Sequence, residues 1–125
     1  MARSTPTSII TYLDTNWVTA TISKPDFVNQ FENEQIKSGH ALAVNWGGMT
    51  WEPEARVKDT EYNTINIEIV ETTLANLILV IDMVRPLLRN KTLTGGHYMV
   101  TAGNPMKVGN HYLCFLTLEE VMYAQ

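Results

Sequence analysis

The stretch from Glu61 to Arg89 constrains the fold most, because a strand-like pattern there runs directly into a helix-like one. From Tyr62 to Val70, Ile65, Ile67 and Ile69 alternate with Thr64, Asn66 and Glu68, the period-2 signature of a strand with one dry face and one wetter face. After Glu71 the period lengthens. Leu74, Leu77, Ile78, Ile81, Val84 and Leu88 recur at helical spacing, with Thr72 or Thr73 placed to cap the first turn. Leu79, Val80, Met83 and Leu87 fall away from that stripe. A helix apolar on so many sides is buried on more than one face, and in a chain of 125 residues the second face can belong to another subunit. Within one subunit the pattern sets Ile65, Ile67 and Ile69 against Leu77, Ile81 and Leu88. Pro86 frees the carbonyl of Asp82, so a kink or an early stop is expected there.

The flanking sequence supplies the remaining elements. Residues 1–5 read as a loose leader, and Pro6 suits the first position of a short helix with Thr5 as its cap. Ile9, Ile10, Leu13 and Trp17 form its stripe, and Asp14 to Lys24 reads as connection. Lys24-Pro25 favours extended backbone, so a first strand is expected near Asp26 to Phe31, followed by polar residues Glu32 to Ser38 and a stop at Gly39. His40 to Trp46 is a second strand closed by Gly47-Gly48; residues 47–60, with Trp51 and Pro53, read as an extended loop or the splayed arm of a hairpin. Beyond Gly95-Gly96, His97 to Thr101 and His111 to Leu118 are two further strands joined by a loop containing Asn104-Pro105 and Gly109-Asn110. The last is apolar on both alternations and therefore central or covered. The expectation is one α+β domain over residues 1–125: a mainly antiparallel sheet of about five strands, with a short N-terminal helix and one long helix packed on it.

Charge and cysteine usage narrow the function. A formal charge of −4 and a pI near 5.2 argue against a basic nucleic-acid-binding domain. Cys114 is the single cysteine and lies in an apolar run, the setting of a buried inert thiol rather than of a disulfide framework. MARSTPTSII lacks the apolar core of a secretory signal, and the longest apolar run, Leu77 to Val84, is interrupted by Asp82. That run is far short of the roughly 20 residues that span a bilayer. No membrane partner is expected, and a reducing cytoplasm is.

Constellations that carry chemistry are sparse. Read as a strand end, YLDTN (Tyr12 to Asn16) resembles the opening of PIN-domain ribonucleases, in which the Asp helps hold a divalent metal. Such a site needs several converging carboxylates, and the C-terminal third offers only Glu119 and Glu120; otherwise Asp14 is a helix-surface residue or a cap. His97, His111 and Cys114 contain one H-x-x-C pair, half of what a structural zinc site wants. Neither glycine pair begins a phosphate loop, and Ser8, Ser23 and Ser38 lie in no nucleophile turn. Trp46, Trp51 and Tyr62 would make a base-stacking platform, but with only Arg56 and Lys58 nearby they are better read as core or subunit contacts. Asp82 and Arg85, three residues apart, either pair on the helix surface or set register between subunits. The chain is read as having no catalytic residue, metal or cofactor, and as not an enzyme.

The element order and the segments IITYLDTNW, SKPDFVNQF and EYNTINIEIVETTLANLILVIDMVRPLL are similar to those of tail-terminator (tail-completion) proteins of tailed bacterial and archaeal viruses. The resemblance covers most of the chain in element order, through diffuse motifs. It implies a structural virion component assembled in the host cytoplasm: a homo-oligomeric ring, typically hexameric, on the end of the tail tube. Its partners would be itself, the tail tube protein and the head-connector or neck protein, with DNA only in passage through a pore. A head–tail stopper or other neck protein is the nearest alternative; a PIN-like metal-dependent ribonuclease and a small-ligand module with a cavity bounded by Trp46 and Tyr62 are further ones. The residues expected at a subunit boundary are Trp51, Leu79, Asp82, Met83, Arg85 and Leu87.

Overall fold

The computed structural model describes the backbone of residues 4–53, 59–89 and 97–123, and the side chains of residues 4–47, 63–89 and 99–120. In chain order the elements are α1 (Pro6–Asn16), β1 (Asp26–Val28), α2 (Asn33–Ser38), β2 (His40–Pro53), β3 (Asp59–Glu71), α3 (Leu74–Arg89), β4 (His97–Ala102), β5 (Met106–Val108) and β6 (His111–Tyr123). One sheet runs in the order β1-β2-β3-β6-β4, with β5 also paired to β6. β1 is parallel to β2, and the other pairings are antiparallel. This is the expected α+β class, with six strands instead of about five.

Each departure from the sequence pattern has a local cause. Gly109, at φ +62°, closes a tight turn that folds Met106–Val108 back onto β6, where a plain loop was expected. α2 occupies the polar stretch before Gly39. Glu32 and Gln35 form its capping box and Gly39 ends it at φ +66°, but none of its residues is buried, so no apolar stripe announces it. β2 does not stop at Gly47-Gly48. The register slips between Trp46 and Gly48, and pairing with β3 continues to Pro53↔Asp59. A Cβ on Gly47 would lie 2.9 Å from Asn66 Oδ1 and Thr64 Cγ2, so glycine lets the bulge approach β3 without displacing those side chains. The two strands thus form a long hairpin arm. Residues 54–58, and the Gly95-Gly96 connection, lie outside the described residues.

α3 begins where Thr73 accepts a hydrogen bond from the Asn76 N–H at 3.1 Å. It buries Leu77, Val80, Ile81, Met83, Val84 and Leu88. The buried face is rotated from the one expected: Val80 and Met83 turn inward, while Leu74 and Ile78 face solvent. Helical spacing alone fits both stripes, and the sheet selects between them. Pro86 does not stop the helix, which continues to Arg89. Both Pro86 and Asp82, whose carbonyl it frees, are on the exposed side, where water can satisfy that oxygen.

The core lies between the sheet and the helices. Ile65, Ile67 and Ile69 join Leu42, Val44, Cys114, Leu116 and Leu118 against Ile9, Leu13 and the buried face of α3, so the expected apposition of the three isoleucines with Leu77, Ile81 and Leu88 is present. β6 is central, but only one of its faces is covered: Phe115, on the other, is 43% exposed.

Candidate assembly surface

The sequence places α1 firmly. Thr5 and Ser8 form its capping box, Pro6 occupies the first turn, and Ile9 and Leu13 drive it into the core. Ser4 is itself buried, so the end of the expected loose leader is held in place. On the side facing α3, the Tyr12 hydroxyl donates to the Leu87 carbonyl at 2.9 Å, satisfying an acceptor in the last helical turn. Burial raises the Tyr12 pKa above its ordinary value. After α1, the Trp17 indole donates to the Ile22 carbonyl at 3.0 Å and meets Phe27 edge-on at 5.7 Å, turning the chain back across the end of α1.

This arrangement leaves a groove of about 480 Å³ between α1 and α3. Tyr12, Asn16, Val18 and Thr21 form one wall; Leu79, Asp82, Met83, Pro86 and Leu87 form the other. Val18 and Leu79 are 50% and 38% exposed, while Met83 is almost buried at its floor. Four of the six residues expected at a subunit boundary, Leu79, Asp82, Met83 and Leu87, therefore share one concave apolar surface. Arg85 lies one step round the helix, with Asp82, Pro86 and Arg89, in a second depression of about 310 Å³. Among the described residues Asp82 and Arg85 form no ion pair, and the Arg85 Nε is buried with no hydrogen-bond partner. Trp51 pairs with Glu61 through its backbone; its side chain lies outside the described residues. The α1 wall was missed because Val18 and Thr21 sit in a polar stretch without periodicity, and the one cue was Trp17 beside Val18.

Two polar networks also escaped the sequence pattern. Glu120 is fully buried and accepts from the Ser4 N–H and Oγ–H, both at 2.9 Å, and from Asn63 Nδ2 at 3.2 Å. Asn63 also donates to the Ser4 carbonyl at 2.9 Å, so the start of the described chain is tied to β3 and β6. In the second network His40 Nδ1 faces both carboxylate oxygens of Glu71, at 2.9 Å from Oε2, and Nε2 lies 3.0 Å from Ser23 Oγ. The order Ser–His–Glu has the outline of a hydrolytic triad. However, Nε2 is also 2.9 Å from the Ser23 carbonyl, an acceptor only, which is satisfied when Nε2 carries a proton. A base needs a free lone pair at that nitrogen. The network instead fastens the loop carrying Ser23 to the paired ends of β2 and β3. Burial raises the Glu71 pKa, while hydrogen bonding and the charge of His40 pull it down.

The other candidates resolve into structural positions. YLDTN is helical, and Asp14 forms an exposed ion pair with Lys24 at 2.8 Å, which removes the strand end needed for a PIN-type site. Among the described residues no three His, Cys, Asp or Glu side chains gather as a metal site; the His97 and Tyr62 side chains lie outside those residues. The Cys114 thiol donates to the Gly103 carbonyl at 3.4 Å, and burial pushes its pKa up, the state of an unreactive thiol. Trp46 is 48% exposed and lines two open depressions, a polar one with Asn29, Asn45 and Glu68 and a more apolar one with Pro6 and Val44; a cavity shared with Tyr62 falls outside the described residues. No described helix is long and apolar enough to cross a membrane.

No protein-family model matches the chain, and no curated protein matches it in sequence. In fold it is similar to a chain of the solved structure "Virion of native gene transfer agent (GTA) particle". The TM-score is 0.63 over 93% of this chain and 92% of that one, at 10% identity. The likeness is one of fold and extends over nearly the full length of both chains.

Proposed function

We propose that this chain is a structural virion component, a tail terminator that forms a ring on the end of the tail tube and joins it to the head connector. The near full-length likeness to a chain of a gene transfer agent virion carries this reading. The exposed apolar groove between α1 and α3 supports it, since a ring subunit needs an unsatisfied patch for its neighbour. The role is structural, not catalytic; the ring is a homo-oligomer, taken as a hexamer, whose other partners are the tail tube protein and the neck protein. DNA passes through its pore without being gripped, in keeping with the acidic charge. Leu79, Asp82, Met83, Arg85, Leu87 and Trp51 belong to its subunit boundaries.

Light scattering of the purified protein, followed by imaging with isolated tail tubes, tests the proposal. A closed ring with a central pore, capping tube ends, is the expected result. A protein that stays monomeric and leaves tubes uncapped contradicts it. A ring that binds the connector but not the tube would move the chain to a head–tail stopper or another neck position.

A further inference from the structure

We propose that the groove between α1 and α3 receives the β5–β6 hairpin of the next copy of this chain, with Lys107 of one subunit pairing with Asp82 of its neighbour. The inference rests on the ring reading above and specifies its contact. All three residues of β5 are exposed, and two of them, Met106 and Val108, are apolar at 44% and 56% exposure. Gly109 closes the turn beyond them, so they sit on a short hairpin at the edge of the sheet, with Met106 and Val108 on one face and Lys107 on the other. The groove, with Val18 and Leu79 on its walls and Met83 at its floor, is the matching concavity.

Charge selects this hairpin over the exposed apolar side chains of β4 and β6, Met99 and Phe115. Phe115 and Met99 lie on strands where their direct cross-strand neighbours are Glu68 and Glu119, and either would bring a carboxylate towards Asp82. Met106 and Val108 flank Lys107. Lys107 lies 5.9 Å from the centre of the Tyr112 ring, and among the described residues neither it nor Asp82 has an ion-pair partner. The groove belongs to the helical layer and the hairpin to the far edge of the sheet. No residue is common to both, so each copy offers one of each; used once per neighbour on each side, the contact is heterologous, as a closed ring requires.

The test is a charge exchange in the full-length chain. Asp82→Lys and Lys107→Asp, both at exposed positions, should each raise the concentration for half-assembly by about tenfold or more, because like charges then meet across the contact. The double exchange should return it to within about threefold of wild type. Circular dichroism should show all three variants folded. Rings that form normally in both single variants, or a double variant no better than the singles, overturn the hairpin contact while leaving the ring reading intact. A wild-type chain that is monomeric at every concentration and on tail tubes overturns both.

Discussion

At the scale of single residues, the two buried carboxylates are what the sequence pattern conceals, and Glu71 gives the clearer consequence. Its side chain is 2% exposed, and burial raises its pKa above the ordinary 4.5 while His40 opposes the rise. A carboxyl raised in the folded state contributes its full stability below the unfolded value, and that contribution is lost as pH climbs through the folded value. His40→Ala removes the opposing partner and raises the folded value further, so the loss deepens. Urea unfolding should show a cost of about 2–4 kcal/mol at pH 8, where an unpaired buried carboxylate must ionise, and a much smaller one at pH 4.5. A cost independent of pH would mean that His40 acts only through packing. Tyr12 is simpler: Tyr12→Phe loses one hydrogen bond to the Leu87 carbonyl, expected to cost about 1 kcal/mol in the same measurement.

At the scale of elements, α3 shows what periodicity reveals and where it stops. Its existence, its approximate length and its apposition to Ile65, Ile67 and Ile69 follow from the spacing of leucines and isoleucines. Its rotation does not, because a helix apolar on several sides offers more than one stripe of about equal quality. The expected stripe included Ile78 and omitted Val80, and the packed helix reverses both. The contrast is measurable: Leu77→Ala should destabilise the monomer by about 2–5 kcal/mol, as for a filled core position, and Ile78→Ala by less than about 0.5 kcal/mol, as for an exposed one. β5 and α2 were illegible for a different reason. Each is short and buries nothing, so neither the period nor the composition of its residues differs from that of a loop. The groove was half legible: its α3 wall stands out as surplus apolar surface, while its α1 wall depends on where Trp17 and Tyr12 anchor the chain.

At the scale of the whole molecule, the separation of groove and hairpin has a consequence that neither patch has alone. In a heterologous ring every subunit uses one groove and one hairpin, so damage to either patch stops growth in one direction only. Leu79→Glu places a charge on the groove wall, and Met106→Glu places one on the hairpin; both residues are exposed, and each variant should melt within a few degrees of the wild-type monomer, as about 0.5 kcal/mol or less implies. Neither variant should form rings by itself. Mixed in equal amounts, they retain one intact groove, on the Met106→Glu chain, and one intact hairpin, on the Leu79→Glu chain. These meet once, after which both remaining patches are blocked. Sedimentation of the mixture should therefore show a heterodimer and nothing larger. Rings in the mixture would mean that assembly runs through other surfaces, and the absence of a heterodimer would mean that groove and hairpin do not meet. The size of the mixed species thus tests the groove–hairpin contact directly, without an image of the assembled particle, and the wild-type size, closed ring or dimer, separates a heterologous contact from a reciprocal one.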